Sequence, residues 1–212
     1  MMRCVIFGGG DVADYGAVKP QIRTGDFIIC ADSGYRHCAQ MDIRPHLLMG
    51  DFDSVGEIPD GIPIERHNPE KDDTDSTLAA QHALSLGAKE LLFIGMTGSR
   101  LDHTLGNLQL MAHCAARADC RMSDGKTDIY ALHADGKTTR KAIPPRESCC
   151  FSLLALSQTC ENVSICGAKY TLDHHSLHFD RPRAISNEFI PGKDAEISLS
   201  RGVLLIIVTP AH

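Results

Sequence analysis

Residues 90–108 read ELLFIGMTGSRLDHTLGNL, and the order of textures in this stretch sets the fold. The apolar run 90–95 is what a strand buried on both faces of a sheet requires. A glycine-containing turn follows, and then Leu101, Leu105, Leu108, Ala112 and Ala115 recur at steps of four and three. That spacing is the stripe of an amphipathic helix, and the stripe is expected to be core. A strand, a turn and a helix in that order are the repeating unit of a parallel α/β sheet.

The same texture extends toward the start of the chain. RCVIFG at 3–8, FIICA at 27–31 and the run at 47–50 are further short apolar segments ending in Gly or Asp. Residues 33–41 and 75–86 read as helices, the second stopped by Gly87. The first half is therefore expected to be a doubly wound, mostly parallel, Rossmann-like α/β domain over residues 1–124. Beyond about residue 120 the helical period disappears. Strand-like runs take over, separated by the clusters Ala134-Asp135-Gly136-Lys137, Pro144-Pro145 and Pro191-Gly192-Lys193. A smaller antiparallel β-sandwich domain is expected over 125–212.

Composition excludes several function classes. The chain has 212 residues, 43% of them hydrophobic, which is enough for a sizeable core. No apolar run reaches the roughly 18 residues of a membrane span, and the first residues do not read as a signal peptide. No membrane partner is expected. Nine cysteines are an odd number and include no CxxC pair, so neither a disulfide framework nor a zinc ribbon is indicated. They read as reduced, packing thiols of a cytoplasmic protein. A net charge of −6 argues against nucleic acid, whose binders carry a basic face.

The acidity is concentrated. Residues 51–75 hold nine acids (51, 53, 57, 60, 65, 70, 72, 73, 75) against Arg66 and Lys71. In LMGDFDS, 48–54, Asp51 and Asp53 follow the strand at 47–50, at the carboxyl end where open α/β sheets bind ligands. Two residues apart in extended chain, their side chains share a direction and lie about 6–7 Å apart. They can converge on one ion, or bond local amides in an Asp-rich turn. In EKDDTDST, 70–77, helix capping accounts for one acid, yet Asp72, Asp73 and Asp75 crowd together and repel unless a cation sits among them. Asp72 and Asp75 are expected on one face of the first helical turn. An oxygen-only donor set suits Mg²⁺, which keeps part of its water and bridges to phosphate. After the strand at 90–95, Thr97, Gly98 and Ser99 can offer amides to an anion, and Arg100 can fork onto phosphate oxygens. Asp102 and His103 open the helix. The Gly8-Gly9-Gly10 run is a loose match to a phosphate turn, expected to line the crevice.

These segments resemble the thiamin pyrophosphokinase family of bacterial type. The residues that carry the likeness are Ala31-Asp32-Ser33-Gly34, Gly50-Asp51-Phe52-Asp53-Ser54, Glu70-Lys71-Asp72-Asp73-Thr74-Asp75 and Gly98-Ser99-Arg100-Leu101-Asp102-His103, in that order. GAKYTL at 167–172, ISNEF at 185–189 and GVLLIIV at 202–208 extend it through the β half. The resemblance implies transfer of pyrophosphate from ATP, the co-substrate, to the hydroxyl of thiamine, giving thiamine diphosphate and AMP. It implies a homodimer with the site between the α/β domain of one subunit and the β domain of the other. It also implies a metal-binding and catalytic group of Asp51, Asp53, Asp72 and Asp75, with Asp32 close by and Asp73 an alternative to Asp72. Arg100 and Ser99 would contact the nucleotide phosphates beside Thr97, Gly98 and His103. Asp102 would orient or deprotonate the nucleophile, and Ser186 and Asn187 would contact the aminopyrimidine of thiamine.

Two departures stand out. Ser99 occupies the place of a second glycine, and the chain has no tryptophan, so Tyr170 or Phe189 must supply any aromatic stacking on thiamine. The histidines of 173–178 are expected to be exposed strand residues. Two rival activities use the same groups: a Mg²⁺-dependent nucleotide phosphohydrolase, and a non-catalytic nucleotide or thiamine sensor.

Overall fold

Four of the short apolar runs form strands as expected: β1 (Arg3–Phe7), β2 (Phe27–Ala31), β3 (Leu47–Gly50) and, further along, β5 (Glu90–Ile94). Two others carry weaker sequence signals, β4 (Ile64–Arg66), which is exposed throughout, and β6 (Asp119–Ser123). The computed structural model describes residues 1–50, 61–66, 73–98 and 100–211. The described chain divides into two compact units, Met1–Leu110 with Arg117–Lys126, and Met111–Ala116 with Thr127–His212.

In the first unit the six strands pair in parallel in the order β4-β3-β2-β1-β5-β6. The helices are α1 (Tyr15–Val18), α2 (Tyr35–Gln40, entered through a 3-10 turn at Asp32–Gly34), α3 (Asp75–Ser85) and α4 (Leu101–Cys114). Strand alternation separates the buried side chains. Val5, Phe7, Ile28, Cys30, Leu48 and Leu92 form one core cluster with Cys38 and Met41 of the α2 region. Their neighbours Cys4, Ile6, Ile29, Met49, Leu91 and Phe93 are also buried and point the other way. Helix α3, which buries Ala79, Ala80 and Ala83, packs against β1, β2 and β3. The chain runs outward from β1 to β4, then returns to place β5 on the opposite side of β1. The order thus reverses between β1 and β5, which opens a crevice at their carboxyl ends.

The second unit is β-rich: β7 (Asp128–Ile143), β8 (Cys149–Ala155), β9 (Thr159–Cys166), β10 (Leu172–His178), β11 (Asn187–Glu188) and β12 (Ala195–Pro210). All their pairings are antiparallel. Strand β12 lies along β7 for nearly its whole length, while its other edge pairs first with β9 and then with β8. Phe151, Leu153, Val163, Ile197, Leu204 and Ile206 belong to one core cluster.

Three expectations are corrected. Residues 134–137 are not a turn: β7 runs through them, and the register moves from Thr139↔Leu199 to Asp135↔Arg201, so the extra residues form a bulge. The runs at 196–200 and 203–208 are one strand, β12, for the same reason. The first turns of the α4 stripe are not core, because Leu101 is 69% and Leu105 53% exposed, and only Met111 and Cys114 of that helix are buried. Helical spacing says which residues share a face but not which face is covered. Among the described residues no helix is long and apolar enough to cross a membrane.

Candidate functional site

The glycine run after β1 and the turn after β5 lie against each other at the crevice. The amides of Gly8, Gly10 and Asp11 donate to the carbonyls of Ile94 (2.8 Å), Gly95 (2.6 Å) and Thr97 (2.6 Å). A Cβ on Gly10 would stand 2.3 Å from the Thr97 oxygen, so glycine is required there by close approach. These amides are committed to the neighbouring turn. The carbonyls of the run face helix α2. The Arg36 guanidinium donates through Nη2 to Gly9 O and Gly10 O, both at 2.7 Å, and His37 Nε2 lies 2.9 Å from Gly10 O. His37 is buried and its Nδ1 is 2.8 Å from the Tyr15 hydroxyl, an arrangement that fixes the neutral tautomer with its proton on Nε2. Burial pushes its pKa down.

Beside these loops is a cavity of about 550 Å³, in the range of small-molecule sites. Asp32, Asp75, Thr97, Gly98, Arg100 and His103 all line it, so six residues expected from the sequence meet in one place. Asp73 and Asp11 line it too. Asp32 comes straight from the end of β2 and holds a left-handed backbone (φ 48°), a strained conformation that short polar side chains tolerate. Asp75 is the first residue of α3, with Thr74 as the cap whose hydroxyl accepts from the Thr77 amide at 3.2 Å. The expected sharing of the first turn by Asp72 and Asp75 falls on Asp72, outside the described residues. Asp51, Asp53, Asp72 and Ser99 lie outside the described residues.

The donor chemistry fits Mg²⁺, since the acids at the cavity present only oxygen. Among the described residues no three such side chains come close enough to hold an ion by themselves.

Arg100 and Asp102 form an ion pair. The guanidinium grips the carboxylate through Nη2 at 2.6 Å and Nε at 3.2 Å. That hydrogen bond holds the Asp102 carboxyl down to about 2, too acidic for an efficient general base while the pair lasts. Asp102 is not among the residues lining the cavity.

Composition and motif reading missed other cavity residues. Asn107 Nδ2 donates to Met96 O at 2.8 Å and ties α4 to the turn after β5. A signal for it exists: Arg100, His103, Thr104 and Asn107 recur at helical spacing, and this polar stripe is the one at the cavity. Arg36 has a weaker signal, three residues after Ser33 in the Asp-Ser-Gly turn.

In the second unit Asn187 is 3% exposed and its amide is engaged internally. Its Oδ1 accepts from the amides of Tyr170 (3.1 Å) and Glu188 (2.9 Å), and its Nδ2 donates to Tyr170 O at 2.7 Å. Ser186 is exposed with a left-handed backbone and donates its amide to Ser152 Oγ at 3.0 Å. A second cavity of about 290 Å³ is lined by Asn187, Tyr170, Ile165, Leu172 and Ile185. The Tyr170 ring is largely exposed, while Phe189 packs on Phe151 at 5.0 Å. His174 and His178 are exposed as expected, though His174 has a paired acid in Asp173 at 2.5 Å.

Comparison with known proteins bears on the family and the fold. The family described as thiamin pyrophosphokinase, catalytic domain, matches residues 18–123, and thiamin pyrophosphokinase, vitamin B1 binding domain, matches residues 141–204. Thiamine pyrophosphokinase of Bacillus subtilis is 28% identical over 193 residues, covering 84% of this chain and 85% of the relative. The crystal structure of thiamine pyrophosphokinase from Bacillus subtilis superposes with a TM-score of 0.87 at 25% identity, over 98% of this chain and 99% of the other. That of thiamin pyrophosphokinase from Geobacillus thermodenitrificans gives 0.80 at 26% identity, over 99% and 97%. With two family domains matched in order across most of its length, the chain belongs to the thiamin pyrophosphokinase family.

Proposed function

We propose that this chain transfers the pyrophosphoryl group of ATP to the hydroxyl of thiamine, with AMP as the second product, and that Asp51, Asp53, Asp72 and Asp75 hold Mg²⁺ for the reaction. The observation that carries the reading is the cavity at the β1/β5 crevice, where acids from the ends of β2 and the start of α3 face the turn before α4. Transfer of this kind needs two substrates held in line and the charge of the phosphate chain offset. When bound, Mg²⁺ supplies that neutralisation by clamping phosphate oxygens.

The protein's own groups do the rest. Carboxylates alone would repel a triphosphate, so the guanidiniums at the cavity matter for drawing it in. A phosphate that recruits Arg100 would release Asp102, which then orients the thiamine hydroxyl. Asn187 holds the backbone of Tyr170, and Tyr170 rather than Phe189 is the aromatic side chain left available to stack on thiamine. Ser186 contributes a polar contact at the rim.

The first unit is read as a doubly wound, Rossmann-like catalytic domain, residues 1–124, and the second as a thiamine-binding β-sandwich, residues 125–212. The exchange of partner along one edge of β12, from β9 to β8, supports the sandwich. A homodimer completes the site, with the β-rich unit of a partner subunit supplying the thiamine end. The exposed Leu101 and Leu105 support an apolar contact face. A cytoplasmic setting agrees with nine free cysteines, six of them buried.

The test is AMP release from ATP and Mg²⁺ with and without thiamine. AMP that depends on thiamine, is abolished by EDTA, and falls by about two orders of magnitude or more in Asp51→Asn and Asp53→Asn is the expected result. Thiamine-independent phosphate release would indicate a hydrolase, and binding without turnover a sensor.

A further inference from the structure

We propose that Arg36 is a phosphate-contacting residue of the nucleotide site, aimed by the carbonyls of Gly9 and Gly10. The proposal rests on the nucleoside triphosphate reading given above and adds to it a residue outside the motifs that carry the family resemblance. Two guanidiniums line the cavity among the described residues, Arg36 and Arg100. Arg100 is paired with Asp102, whereas the hydrogen bonds of Arg36 go to uncharged partners. Two backbone carbonyls orient a guanidinium without cancelling its charge. They engage Nη2 from one side, and Nε reaches only to 3.5 Å from His37 Nε2. The two N–H groups of Nη1 are left for a ligand, and a planar fork fixed at one end is matched to phosphate oxygens.

The location points to the same ligand. Arg36 shares the cavity with Asp11, Asp32, Asp73 and Asp75, yet is within ion-pair distance of no described carboxylate. A cation set among acids without pairing to them serves a molecule that arrives between them, and a polyphosphate is such a molecule. The buried contact of His37 with Gly10 O, backed by Tyr15, keeps the same loop in place, so the aim of Arg36 does not depend on the ligand.

Calorimetric titration with ATP and with adenosine, both in Mg²⁺, tests this on the full chain and its Arg36→Gln and Arg36→Lys variants. Loss of one charge-assisted contact predicts ATP affinity about tenfold or more weaker in Arg36→Gln. Adenosine should stay within about twofold, and Arg36→Lys should fall between because an ammonium keeps the charge without bridging both carbonyls. Equal ATP affinity in all three proteins overturns the proposal. So does an equal loss for ATP and adenosine, which is what a role confined to holding the glycine loop predicts. Wild-type protein that binds ATP but releases no thiamine-dependent AMP sinks the activity and leaves the Arg36 contact standing; wild-type protein that binds no ATP overturns both.

Discussion

At the scale of single residues the site is set as much by what holds a group as by the group itself. His37 shows this. Its buried ring links Tyr15 to the Gly10 carbonyl, and burial disfavours its charged form. Burial lowers its folded pKa below that of the unfolded chain, so between the two values the unfolded state binds the extra proton. The stabilisation is therefore present above the ordinary histidine range and is lost as pH falls through it. The unfolding free energy from urea titration should drop from pH 7.5 to 5.5, the His37 contribution having a slope no steeper than about 1.4 kcal/mol per pH unit, one proton's worth. The pH-dependent part should shrink in His37→Gln; a wild-type midpoint flat across that range would remove the argument. Motif reading identified Asp32, Asp75 and Arg100 because such residues sit in recognisable turns and clusters. It missed Arg36, His37 and Asn107, whose roles come from carbonyls that only the folded backbone brings to them.

At the scale of elements, close approach decides more than propensity. Helix α2 enters through Gly34, where a Cβ would meet Phe7 O at 2.1 Å and Phe7 C at 2.6 Å. Gly34→Ala must push α2 off β1 and carry Arg36 and His37 with it. The expected cost is about 1–3 kcal/mol in urea unfolding, together with weaker ATP binding. Gly106, in exposed α4, is the contrast, since a Cβ there meets nothing within 4 Å. Gly106→Ala should stabilise by about 0.5–1 kcal/mol through helix propensity alone. Equal effects of the two substitutions would show that α2 is not closely packed on β1 at its entry. The same helix shows where periodicity stops being informative: α4 carries a polar stripe and an apolar stripe, and the polar one faces a cavity.

At the scale of the whole molecule, the exposed Leu101 and Leu105 predict association. Light scattering at micromolar concentration should return twice the mass of the chain, and Leu105→Glu should shift it toward the single-chain value. A monomer whose full thiamine-dependent activity is independent of concentration would refute the shared site. The alternation of apolar runs and helical stripes was legible in the sequence, as were the passage from parallel α/β to antiparallel β and the crowding of acids after β3. Each of these is a local consequence of burial period, turn chemistry or charge. The sequence by itself thus determined the class of each unit, the family, and the cavity residues Asp32, Asp75, Thr97, Gly98, Arg100 and His103. Tertiary structure alone decided that residues 134–137 continue a strand, that Arg100 clasps Asp102, that Asn187 turns inward to hold Tyr170, and that the leucines of α4 are uncovered. Those outcomes depend on which surfaces and carbonyls distant segments bring together, and no spacing along one chain encodes that.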